Sequence, residues 1–148
     1  MKQILFFTLL IFLSGCSSFG IYVLNDSLTA AQHNDLGIAY EKQNRLDLAE
    51  KEYKRAIKKD KNWHVPYFNL GNVYYKLSNK DEAIKYFRSG LKTNSQNPDI
   101  MNNLAFALME NGNTAEAKKW IEKALSIEAK PEYLDTQNKI RKKMQDMR

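Results

Sequence analysis

Few side chains in this sequence could carry covalent or acid–base chemistry. The 148 residues contain one cysteine, Cys16, and two histidines, His33 and His64. One thiol cannot make an internal disulfide, nor a zinc site that needs two to four cysteines. No serine or cysteine is patterned with a histidine as a nucleophile with its base would be, and no glycine-rich phosphate loop occurs. The paired carboxylates Asp81-Glu82 fall in the first turn of an expected helix, where they complement its dipole. The chain therefore reads as a non-enzyme without cofactor or metal. What remains is hydrogen bonding. Asn34, Asn69, Asn72, Asn102 and Asn103 recur in related contexts, and each amide offers both a donor and an acceptor.

Composition sets further limits. At 43% hydrophobic and 27% charged residues the chain is an ordinary globular domain. A net charge of +6 is mildly basic and well short of a dedicated nucleic-acid binder.

Cys16 has a distinctive setting. Met1-Lys2-Gln3 carries one positive side chain, and Ile4 to Leu13 is an uncharged apolar run. As a helix that run spans about 15 Å, half the ~30 Å of a bilayer core, so it reads as a secretory signal rather than a membrane span. Leu13-Ser14-Gly15-Cys16 resembles a bacterial lipobox. The resemblance implies a signal peptide over residues 1–15, cleavage before Cys16, and lipid on that residue holding the chain to a membrane outside the cytoplasm. Ser17 in place of Asp implies, by the same resemblance, the outer membrane, facing the periplasm. Residues 16–28 then form a tether. Its flexible reach is about 20 Å, but Phe19, Ile21, Tyr22, Val23 and Leu24 are too apolar for full solvation, so part of it should pack on the domain or the membrane surface.

The rest of the chain repeats. Leu36, Leu70 and Leu104 are spaced by 34 residues, as are Ala49, Ala83 and Ala117. Tyr53, Phe87 and Ile121 make a third column, and Ala56, Gly90 and Ala124 a fourth. Leu36, Ala39, Tyr40 and Gln43 follow the stripe of an amphipathic helix, and Ala49, Tyr53, Ala56 and Ile57 that of the next. Small residues let the two helices approach, and large ones fill the space between hairpins. Neither helix buries its stripe alone, so neighbouring hairpins must stack. Thr29-x-x-Gln32 is a capping box, Asn79 and Asn113 open second helices, and Pro98 and Pro131 open the third repeat and the last helix.

These columns resemble the tetratricopeptide repeat family. The resemblance implies an all-α, right-handed superhelix of three helix-turn-helix repeats over residues 29–131 (30–63, 64–97 and 98–131), closed by a capping helix over 132–148. There are departures: position 4, usually Trp, is His33, Tyr67 and Met101, and the third repeat has Ala105 for Gly and Leu108 for Tyr. His33 should be a structural side chain facing its partner helix, and His64 a surface one. In the last helix Tyr133, Ile140, Met144 and Met147 form the expected apolar stripe, and Lys139, Arg141, Lys142 and Lys143 the outer face.

The first helices of the repeats should line a concave face. Its candidate residues are Asn34 and Ile38 in repeat one, Phe68, Asn69, Asn72, Tyr75 and Lys76 in repeat two, and Asn102, Asn103, Phe106 and Met109 in repeat three. This ladder of amides with aromatic flanks could hold the backbone of a protein or peptide partner and anchor its side chains; it could equally brace the helix pairs. The carboxylate clamp of some family members needs Lys and Arg where this chain has Asp99 and Asn103, so that ligand is not expected. The basic runs Lys51–Lys61 and Lys139–Lys143 are solvated convex faces, or attract anionic lipid or cell-wall polymer. Trp120 and Tyr86 should be partly outward.

The resemblance to lipid-anchored repeat proteins implies a scaffold for an envelope partner, such as a secretion or pilus assembly or a cell-wall machine. Residues 28–37 are also similar to the repeat module attached to some lipoproteins with a papain-like cysteine peptidase domain. That implies an alternative: an accessory of an envelope enzyme, acting through its basic surface or by self-association.

Overall fold

The computed structural model describes residues 26–147. Residues 1–25, with Cys16 and the apolar part of the tether, lie outside them. The described residues form seven helices: α1 (Ala30–Lys42), α2 (Leu46–Lys59), α3 (His64–Lys76), α4 (Lys80–Thr93), α5 (Pro98–Glu110), α6 (Thr114–Ile127) and α7 (Pro131–Asp146). None of them is long and apolar enough to cross a membrane.

Local sequence sets the boundaries. Thr29 and Gln32 cap α1 reciprocally, each side chain serving the other's backbone N–H. Asn79, Asn97 and Asn113 accept from the N–H groups of Glu82, Ile100 and Glu116, filling a donor that each helix start leaves open. Between the helices of each hairpin one residue turns left-handed: Asn44 at φ 57°, Ser78 at 60° and Gly112 at 87°. These also lie 34 residues apart, so the turn repeats along with the apolar columns.

Helices pack tightly within the pairs α1–α2, α3–α4 and α5–α6, and α2, α4 and α6 join each pair to the next. In addition α1 touches α3, α3 touches α5 and α5 touches α7, so these four form one inner layer. The result is an all-α superhelix of three stacked hairpins closed by α7. Within each hairpin a glycine or alanine faces a large residue. A Cβ built on Gly37 would lie 2.5 Å from the Tyr53 ring, and one on Gly71 2.5 Å from the Phe87 ring. In the third hairpin the same columns hold Ala105 and Ile121, both fully buried. The extra methyl is matched by a smaller partner.

The stripe expected on α1 requires correction. Leu36 is 38% exposed, while Leu70 and Leu104 are fully buried. Ala39 and Gln43 are exposed too, whereas Val73 and Ala107, the counterparts of Ala39, are buried. These columns face the preceding hairpin, and among the described residues none precedes α1. Its buried residues are instead His33 and Gly37, which face α2, and Asn34, which meets α3.

His33 is fully buried, and its neighbours were not foreseen. Its Nδ1 lies 2.7 Å from Glu52 of α2 and its Nε2 2.7 Å from Asp26. Arg55 donates to the other Glu52 oxygen, and the Lys59 ammonium to the Asp26 carbonyl. Burial pushes the Asp26 carboxyl up, but the Leu28 amide, His33 and Lys59 outweigh it and hold the group below the ordinary carboxylate range. The described end of the tether is thereby fastened to the first hairpin.

At the other end Tyr133 and Ile140 of α7 are buried, but Met147 is 68% exposed and leaves the expected stripe. The Tyr133 hydroxyl donates to Asp99 of α5, which also accepts from Lys130 at 3.0 Å. Burial raises Asp99, and the two donors outweigh it and hold the carboxyl low. Burial, with Asp99 beside it, pushes Tyr133 up to about 12. An unfolded tyrosine starts to lose its proton near pH 10, whereas the folded one retains it, so alkali favours unfolding. Stability that Tyr133 contributes below pH 10 is expected to be lost as pH rises to about 12. Urea unfolding midpoints measured from pH 9 upward should fall less steeply in Tyr133→Phe than in the parent chain.

Candidate functional site

The candidate site lies on the inner layer, where repetition brings polar side chains of successive hairpins together. The Asn69 Nδ2 donates to Asn34 Oδ1 at 2.9 Å, joining α3 to α1. The Asn103 Nδ2 donates to Asn72 Oδ1 at 2.8 Å, joining α5 to α3. Asn102 Nδ2 donates to Asn103 Oδ1 at 3.2 Å. The amides thus brace neighbouring hairpins, and Asn34 is buried rather than open to a guest. Two ends of this chain of amides stay unused. Asn102 Oδ1 is buried without a partner, and Asn72 Nδ2 donates to no side chain or carbonyl among the described residues.

Aromatic side chains flank the amides. Tyr75 and Phe106 meet edge to face, their centroids 5.7 Å apart. With Asn72, Asn102 and Asn103 they line a cavity of ≈ 250 Å³. Burial pushes the Tyr75 hydroxyl up, with Glu110 adding to it, so this ring presents a neutral O–H. Phe68 turns toward the core and lies 6.1 Å from Phe87, and Ile38 is half-buried against the core. Lys76 is engaged by Glu41 at 2.6 Å. Met109 is only 4% exposed and packs in the hydrophobic core, and its remaining surface lines the cleft toward α7 rather than the cavity among the amides. The groove therefore narrows to Asn72, Tyr75, Asn102, Asn103 and Phe106, with Asn69 bracing one side.

A second cleft of ≈ 460 Å³ adjoins the first, and Phe106 is common to both. Its other wall is α7, through Lys139, Lys142 and Lys143. Lys139 sits 5.4 Å from the Phe106 ring centroid, a cation over an aromatic face. These lysines, expected on an outer face, instead rim the inner one. Their spacing could have shown it: residues 139, 142, 143 and 146 fall at i, i+3, i+4 and i+7 on one side of α7. In the convex basic run two members are closely paired, Lys54 with Glu50 and Arg55 with Glu52, each at 2.7 Å. His64 is half-buried beside Asn94, and Tyr86 stacks on Tyr74 at 5.3 Å.

A groove of paired amides on stacked helical hairpins defines a helical-repeat protein. Two tetratricopeptide family models match the chain, one over residues 37–78 and the other over 74–140. The chain belongs to the tetratricopeptide repeat family.

Among curated proteins it is similar to an uncharacterized Haemophilus influenzae protein, with 25% identity over 113 residues, 76% of this chain and 63% of that one. It is also similar to the human tetratricopeptide repeat protein 6, 30% identical over 53% of this chain but only 15% of that protein. The chain thus spans less than two thirds of these relatives. Among solved structures, the first repeat domain of Spaghetti (RPAP3) bound to the HSP90 peptide SRMEEVD superposes with a TM-score of 0.76. It is 23% identical, covering 80% of this chain and 95% of that one. The Yersinia enterocolitica type III secretion chaperone SycD, in complex with a peptide of the translocator YopD, gives 0.67 at 19% identity, covering 79% and 90%. At these identities the likeness shows the fold.

Proposed function

We propose that this protein is an adaptor that holds a peptide segment of a partner protein on its inner face while lipid on Cys16 anchors it in the bacterial envelope. The observation that carries the first part is the cavity between Tyr75 and Phe106, which opens onto amides with a donor and an acceptor unused. Aromatic walls supply burial and amides supply orientation, a combination that suits an extended backbone. Spaghetti and SycD, similar in fold, were each solved with a peptide, which supports the same use here. The convex surface supports the rival reading less, because Lys54 and Arg55 in the middle of its basic run are already paired.

The second part rests on the lipobox-like residues 13–16 and on the tether, whose described end is fastened to the first hairpin through Asp26. Ser17 supports the outer membrane as the destination. A secretion, pilus or cell-wall assembly is then the kind of machine the adaptor would serve.

Two experiments test the proposal. Tyr75→Ala combined with Phe106→Ala should weaken binding of selected peptides by more than about tenfold, as loss of aromatic anchors does, with helical content unchanged. Peptides that bind the double variant as tightly as the parent chain would remove the groove from the account. Cys16→Ala should move the protein from the membrane to the soluble fraction of cells and abolish incorporation of labelled palmitate. Unchanged labelling would overturn the anchor.

A further inference from the structure

We infer that the groove selects a peptide bearing an acidic side chain, its backbone held by Asn72 and Asn102, an apolar side chain set against Phe106, and its carboxylate received by Lys142 and Lys143. This inference rests on the inner face being a peptide site and adds the chemistry of the guest.

The amides come first. Hydrogen bonding from Asn102 to Asn103 to Asn72 runs in one direction, which uses the donor of Asn102 and the acceptor of Asn72. The unused groups are an acceptor at one end and a donor at the other. A peptide unit offers the complementary pair, an N–H and a C=O.

Charge then decides what the guest carries. Two lysines of the inner layer near the groove are already matched, Lys76 by Glu41 and Lys139 by Asp135. Lys142 and Lys143 have no carboxylate within 4.0 Å among the described residues. Of the acids on the same cleft, Glu110 is the partner of Lys80, which leaves Asp146 against two lysines. The cleft therefore carries excess positive charge beside an apolar wall.

Geometry links the two parts. Phe106 lines both cavities, so amides and lysines belong to one continuous surface. Asn102 and Glu110 are about two turns apart on α5, roughly 12 Å. An extended peptide covers that distance in three or four residues. The acidic side chain should follow the residue held at Asn102 by about that interval.

The test is selection of random dodecapeptides on the full chain, with three variants alongside. Lys142→Glu plus Lys143→Glu reverses the cleft. Lys51→Glu plus Lys58→Glu makes the same change of net charge on the convex face. Phe106→Ala removes the shared wall. We expect enrichment of Asp and Glu of at least about fivefold in selected peptides, lost in the first variant and kept in the second. Peptides that depend on Phe106 but show no acidic bias, or a bias indifferent to Lys142 and Lys143, would overturn the inference and leave the groove intact. Failure to select any peptide, or selection indifferent to Phe106, would overturn both. If phosphatidylglycerol vesicles retain the parent chain but not the Lys142/Lys143 variant, and selection shows no acidic bias, the lysines serve the membrane and the inference fails.

Discussion

Leu70→Ala and Leu104→Ala are each expected to lower the free energy of unfolding by about 3–5 kcal/mol, and Leu36→Ala by less than about 1 kcal/mol. The three leucines occupy one column of the repeat, so their intrinsic helix preferences cancel in the comparison. They differ in what covers them. Leu70 and Leu104 have no exposed surface, since the preceding hairpin packs over them, while Leu36 is 38% exposed. Removing a buried leucine loses the transfer of its methyl groups from water and leaves a cavity that a stacked helix cannot easily close. Against a typical total of about 5–15 kcal/mol, the two inner substitutions should bring the chain close to unfolding at 37 °C. Urea unfolding at 25 °C measures all three. Equal losses at the three positions would mean that the hairpins do not depend on their neighbours.

Gly71→Ala is expected to destabilise the chain by about 2 kcal/mol, although alanine is the better helix former by about 1 kcal/mol. The new methyl would meet the Phe87 ring at 2.5 Å, and that ring is almost completely buried, so α3 and α4 must separate. The third hairpin already contains the remedy, Ala105 with Ile121. Gly71→Ala combined with Phe87→Ile should therefore cost less than the sum of the single changes, with a favourable coupling of about 1–2 kcal/mol. A double-mutant cycle in urea gives this value directly. Strict additivity would show that the two columns do not set the distance between helices of a hairpin.

The repeat was legible because its packing demands recur. A glycine opposite a ring, an asparagine at a helix start and a left-handed turn residue each return after 34 residues, and each leaves a mark in the sequence. Leu36 shows where such marks mislead. A column carries the same residue type at the open edge as in the middle, and only position in the stack decides what buries it. The amide ladder was visible as residue types, but its direction was not. Whether Asn72 gives or receives a hydrogen bond depends on which helix passes opposite it. Met109 fits a groove position by number, yet most of it is core and only its edge reaches the cleft toward α7. The His33–Asp26–Glu52 cluster joins residues of the tether, α1 and α2 that share no motif, so no spacing could announce it. The lysines of α7 were readable by helical spacing, but α7 departs from the repeat after its first turn, and the repeat could not say which side faces inward.

Hydrogen exchange of the full chain, with and without the tightest selected peptide, tests most directly whether the inner layer holds the guest. The account predicts added protection in α3, α5 and α7 around Tyr75, Phe106 and Lys142, with α2, α4 and α6 unchanged. Protection confined to α2, α4 and α6 would place the guest on the convex face and contradict it.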